Sequence, residues 1–189
     1  MTFFQQTVLF EGGLGVAAIA VGGLIGYPFW LDCFLDGHAA LQAAVATVPM
    51  LMMYFVTSFL PLKSLQEIDR IVREIVRREM SQYRFVRLFI ICALAGFGEE
   101  FLFRGLFQNG LITYFGQSMQ VPVLVGVSLL FGFAHNITRM YFVLAFLISL
   151  YLGAVMIWTQ NLFVPAAVHG LYDLFVLVYI KGSRTASSE

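Results

Sequence analysis

Few residues in the chain could carry chemistry. Glu99, Glu100 and Arg104 lie in Gly98-Glu99-Glu100-Phe101-Leu102-Phe103-Arg104-Gly105, inside an otherwise apolar run from Leu88 to Phe107. A lone charge at the centre of a membrane-spanning helix costs roughly 2.5–3.5 kcal/mol to insert, so such residues face a protein interior or a wet cavity. His135, His169 and Asp173 are the other ionisable residues expected within or at the ends of apolar spans. Successive helix residues point about 100° apart, so Glu99 and Glu100 take different faces. Glu100 and Arg104 stand four apart and can pair, which neutralises a costly arginine and leaves Glu99 without a local partner. His169 and Asp173 share a helix face at the same spacing, and Phe131 and His135 repeat it.

Three helices thus each offer polar groups inward. A buried glutamate beside a histidine can act as general base towards water. A second imidazole can donate to the oxyanion formed when water attacks a carbonyl. Glu99, His135 and His169 could instead hold a divalent metal. Spacing does not decide between the two, although the H-E-x-x-H pattern of zinc proteases is absent.

The elements that position these groups must be membrane helices. Of 189 residues, 60% are hydrophobic and 12% charged, with a mean hydropathy of +0.84 and a net charge of zero. A water-soluble domain has nowhere to place that much apolar surface, and no alternation of the outer-membrane barrel kind occurs. The expected fold is an all-α, polytopic membrane bundle forming a single domain over 1–189. The first apolar segment lacks a basic leading region, which argues for a retained span and not a removed signal peptide. Cys33 and Cys92 fit no metal or disulfide spacing and read as packing residues.

Six spans can be drawn, at about 14–31, 39–60, 88–107, 121–136, 141–158 and 162–180. In the first, Ala18, Gly22 and Gly26 repeat every four residues, a row that lets helix backbones approach closely. Gln108 to Gln120 reads as an uncharged loop. Residues 63–84 read as an amphipathic basic helix. Leu65, Ile68, Ile71, Val72, Ile75, Val76 and Met80 take one side, and Arg70, Arg73, Arg77 and Arg78 the other. This basic segment after the second span, Arg139 and Lys181/Arg184 fall on one side of the membrane, which places both termini in the cytoplasm. On these boundaries Glu99 and Asp173 lie mid-membrane and His135 near the cytoplasmic surface, so the groups meet only if that helix tilts.

Glu99-Glu100-x-x-x-Arg104, Phe131-x-x-x-His135 and His169-x-x-x-Asp173, in this order over about residues 85–180, resemble the motifs of the CPBP intramembrane proteases. That family includes the CAAX prenyl endopeptidases and many bacterial members. The resemblance implies a bundle enclosing a cavity and a glutamate-dependent endopeptidase without a cofactor. Glu99 and His135 would activate water, His169 and Asp173 would stabilise the oxyanion, and Glu100 and Arg104 would support them. It further implies a membrane-associated protein or peptide substrate in the bacterial plasma membrane, with the lipid bilayer as surroundings and no nucleic acid partner. The CAAX endopeptidases carry asparagine where this chain has Asp173; an amide always donates, a carboxylate only when protonated. Other classes to weigh are a non-enzymatic scaffold or immunity protein on the same fold, and a small transporter. The absence of an inverted repeat argues against the transporter.

Overall fold

The computed structural model describes residues 1–183, and among them every regular element is helical. The first helix, α1 (Phe3–Leu24), opens on a capping box: Gln5 N–H donates to Thr2 Oγ1, and Thr2 N–H donates to Gln5 Oε1. The span expected at 14–31 therefore begins and ends earlier. Glu11 looks like a boundary in sequence, but Phe3, Phe4, Val8, Leu9 and Phe10 supply apolar length before it. After Leu24 the chain turns through Gly26, whose φ of 72° suits glycine, and Pro28. Ala18 and Gly22 are buried as the small-residue row requires, while Gly26 belongs to the turn and not to the helix face.

Helix α2 (Gly37–Phe59) starts where Asp36 accepts the N–H of Ala39 at 2.7 Å. Helix α3 (Lys63–Glu79) is the amphipathic element: it buries Leu65 and Val76 and pairs Arg73 with Asp69 and Arg77 with Glu74 on its polar side. Helix α4 (Phe85–Glu100) continues without a break into a π-helical segment (Phe101–Asn109) and α5 (Gly110–Phe115). The loop expected from Gln108 to Gln120 thus shrinks to a tight turn around Gly116 and Gln117–Met119. Helices α6 (Gln120–Ala134), α7 (Arg139–Thr159) and α8 (Phe163–Gly182) complete the bundle, and Thr138 caps α7 by accepting from Tyr141 N–H.

Five helical stretches, Phe3–Leu24, Gly37–Phe59, Gln117–Ala134, Arg139–Thr159 and Phe163–Gly182, are long and apolar enough to cross a membrane. The sixth expected span corresponds to α4 and its π continuation, which carry the charged motif. Large apolar side chains such as Phe10, Val16, Val45, Met52, Leu130 and Phe133 are exposed on outer faces, where lipid covers them. The molecule is an all-α, polytopic integral membrane protein. Lys181 donates to the carbonyl of Tyr83, tying the end of α8 to the start of α4; Arg184, used to orient the chain, lies outside the described residues.

Two close crossings position the site. A Cβ on Gly96 would stand 2.5 Å from the carbonyl oxygen of Ala166 and 2.7 Å from the nitrogen of Gly170, so the α4 and α8 backbones touch there. Two residues on, a Cβ on Gly98 would lie 2.1 Å from the carbonyl oxygen of Glu11, which locks α1 against the same end of α4. On the far side of α8, Ala39, Ala43, Ala46 and Met50 of α2 pack with Leu152, Val155, Val164 and Val168.

Candidate active site

The Gly96–Gly170 crossing brings the end of α4 beside the middle of α8. Glu100 and Arg104 are fully buried, with Glu100 Oε2 2.9 Å from Arg104 Nε. Their contact is a charge pair without a well-aligned hydrogen bond. The guanidinium is held further by Ser149 of α7, whose carbonyl and hydroxyl oxygens accept from Arg104 Nη2 at 3.0 and 2.9 Å. It also stands over the Phe131 ring at 5.0 Å from the centroid.

Glu100 has a second partner that helical spacing could not reveal. His169 Nδ1 lies 2.9 Å from Glu100 Oε1, and because a carboxylate only accepts, the imidazole donates. That bond fixes the ring and leaves Nε2 facing Asp173 Oδ2 at 3.5 Å. The expectation that Glu100 and Arg104 simply cancel one another is therefore too narrow, since the same carboxylate also orients His169.

His135 follows the last residue of α6. That helix has 15 residues, a rise of about 22 Å at 1.5 Å per residue. With the turn at Gln117–Met119 ahead of it, the stretch Gln117–Ala134 is long enough to cross a membrane. The two groups meet: Glu99 Oε2 and His135 Nε2 lie 3.5 Å apart. The Nδ1–H of His135 donates to the carbonyl of Phe131 at 2.9 Å, and its ring stacks on Phe131 at 4.2 Å between centroids. With Nδ1 carrying the proton, Nε2 of the neutral ring is an acceptor. Glu99 Oε2 is buried and receives no hydrogen bond. With the ring neutral, two acceptors thus face one another across 3.5 Å; with it protonated, His135 is the ion-pair partner of Glu99.

Glu99, His135, His169 and Asp173 all line one cavity of about 370 Å³, which extends to the underside of α3 at Leu65, Ile68, Asp69 and Val72. Tyr141 joins the wall, its ring 6.4 Å from that of His135. Among the described residues no three His, Cys, Asp or Glu side chains converge as ligands of one metal ion. Glu11, whose backbone forms the Gly98 crossing, also lines the cavity. The sequence reading placed Glu11 ahead of the first span and missed it. Its signal was there to read: it is the one charged residue before Asp32.

A helical membrane bundle with a buried glutamate, two histidines and an aspartate around one internal cavity has the make-up of an intramembrane hydrolase. The family model described as type II CAAX prenyl endopeptidase Rce1-like matches residues 81–175, from the approach to α4 through Asp173. The chain belongs to that family of proteases. Neither comparison with curated proteins nor comparison with solved structures gave a match.

Proposed function

We propose that the protein is a glutamate-dependent endopeptidase hydrolysing a peptide bond of a membrane-associated protein or peptide, with Glu99 and His135 activating the water. The observation that carries this reading is the pair of acceptors 3.5 Å apart, Glu99 Oε2 and His135 Nε2. A water about 2.8 Å from each would donate one O–H to each and turn a lone pair towards the cavity. As its oxygen attacks the carbonyl carbon, one proton passes to the Glu99–His135 pair and the carbonyl π electrons move to oxygen. His169 Nε2 is the nitrogen left to meet that oxyanion, because Nδ1 is taken by Glu100. It can donate only when the ring holds two protons, and Asp173 beside it can donate only when protonated. Collapse of the intermediate breaks the C–N bond, and the pair returns its proton to the leaving nitrogen, giving a carboxylic acid and an amine. No step requires a metal or other cofactor.

In this reading the protein sits in a bacterial plasma membrane with both termini cytoplasmic, and α3 lies at the cytoplasmic surface over the cavity mouth. The substrate enters from that surface or from the lipid.

The test is peptide cleavage by the purified protein in detergent or liposomes, followed by mass spectrometry of membrane peptides. Glu99→Ala and His135→Ala are expected to abolish cleavage while the protein keeps its helical content and unfolding temperature. Wild-type-like turnover in either variant removes the water-activation assignment. Activity that survives exhaustive chelation is expected, and its loss with recovery on added zinc would replace this reading by a metal-dependent one.

A further inference from the structure

Among the described residues, Glu11 is a carboxylate of this cavity without an ion-pair partner. Glu99 faces His135, and Asp173 faces His169. Glu100 is held by Arg104 and His169, and Asp69, at the α3 end, by Arg73. Among the described residues Glu11 makes no ion pair, and its Oε2 is buried without a hydrogen-bond donor. It is within electrostatic reach of Glu99, His169, Asp173 and His135. The Gly98 crossing fixes its backbone against the residue next to Glu99, so the side chain is held at the wall of the cavity that it lines.

An ionisable group in the middle of a membrane-spanning helix is expensive and is retained where it meets a partner. Its chemistry limits that partner: an ionised carboxylate accepts and cannot donate, and in a low-dielectric cavity its strongest complement is a cationic N–H donor. We propose that Glu11 is a specificity residue that receives a primary ammonium or guanidinium group of the substrate, selecting peptides with a lysine or arginine near the scissile bond. This rests on the peptidase reading for the substrate class, but cation recognition by the cavity can be tested without turnover. The residue lies outside the stretch that the family model matches, so it would be a feature of this chain's α1 and not of the shared motifs.

Two measurements decide it. The first is thermal unfolding of the detergent-solubilised protein with decylamine or with decanol, amphiphiles of equal chain length that differ in the charged head. The amine is expected to raise the unfolding temperature of the wild type above the value with the alcohol. That difference should vanish in Glu11→Gln and persist in part in Glu11→Asp. Equal shifts in the wild type, or a difference that survives in Glu11→Gln, overturn the proposal. The second is cleavage of a library of hydrophobic peptides with lysine or norleucine at each position flanking the scissile bond. The wild type is expected to favour lysine at one position by at least tenfold in kcat/KM. Glu11→Gln should erase that preference through KM while leaving kcat on the norleucine peptide unchanged. A uniform fall in kcat on all peptides would make Glu11 structural and refute its role. Should the wild type cleave no peptide, the peptidase reading fails, and the amine comparison still decides whether Glu11 recognises a cation.

Discussion

Glu100 is wholly buried between Arg104 and His169, whereas Glu99, one residue earlier, ends at a cavity wall with an oxygen that no donor reaches. The two carboxylates share a helix, a depth and a chemical type, and differ only in direction. On the Glu100 side, the ion pair is extended by Ser149 on α7 and by His169 on α8, so one network ties three helices together. On the Glu99 side the facing group is another acceptor, His135 Nε2, set by the bond that its other nitrogen makes to Phe131. Glu100 Oε2 and Arg104 Nε and Nη1 also lack an aligned hydrogen bond, but they are sealed inside a charge-paired network that rigidifies, whereas Glu99 Oε2 borders the cavity, where a substrate or a water can enter. The difference between neighbours thus divides one motif into a clamp and a reaction site.

The comparison breaks most severely at the clamp. Arg104→Met leaves Glu100 as an uncompensated buried charge, and is expected to cost about 3–5 kcal/mol of stability. Glu100→Gln combined with Arg104→Met removes both charges and should recover a large part of that loss. Chemical unfolding in detergent measures both, and an additive double variant would show that the two side chains are not coupled. The opposite outcome is expected on the other side. Glu99→Gln should lower peptide cleavage by roughly 10²–10⁴-fold, the usual contribution of a positioned base, with an unfolding curve that overlays the wild type. If Glu99→Gln proved the more destabilising of the two, the division into clamp and reaction site would be reversed.

How much of this was legible in the sequence follows from range. Pairs four apart, Glu100 with Arg104 and His169 with Asp173, are local consequences of helix geometry and could be read directly. The bond from His169 to Glu100 spans 69 residues and depends on a backbone contact between Gly96 and Gly170 that no periodicity announces. The meeting of His135 with Glu99 hinged on where a short helix starts and stops, and hydropathy does not resolve that. Glu11 was hidden by the opposite error. The first span was drawn from about residue 14, when the capping box at Thr2 had already started the helix nine residues before Glu11. The π-helical segment gave no sequence signal, since hydropathy counts apolar residues and does not register whether the backbone bonds i,i+4 or i,i+5.

The crossing that joins the two sides offers a smaller test. Gly96→Ala places a methyl group against the Ala166 carbonyl and the Gly170 nitrogen, backbone atoms that cannot rotate away. Overpacking of this kind costs about 1–3 kcal/mol, and by parting α4 from α8 it should lengthen the Glu100–His169 bond and lower activity. Gly126→Ala on α6, where nothing stands within 4 Å of the added carbon, is expected to leave both unchanged. Equal behaviour of the two variants would mean that the helices accommodate the methyl group by sliding and that the crossing does not set the site.

Asp173 is expected to give the smallest effect and the finest distinction, because it stands between the clamp and the cavity. Its Oδ2 lies 3.5 Å from His169 Nε2 and its side chain is one-third exposed, so it holds the ring less tightly than Glu100 does at 2.9 Å. If Asp173 acts by accepting from Nε2–H, Asp173→Asn keeps an acceptor oxygen in place and should retain wild-type kcat and an unchanged pH profile. Asp173→Ala loses that acceptor, and a fall of about tenfold in kcat, or about 1.4 kcal/mol, is expected with little change in KM. If instead it donates to the oxyanion, only its protonated form works. Asp173→Asn would then raise activity at high pH, where the carboxylate has ionised and the amide has not. The pH dependence of kcat in these two variants therefore separates an orienting aspartate from a donating one, and shows whether the clamp that begins at Arg104 ends at His169 or reaches the oxyanion itself.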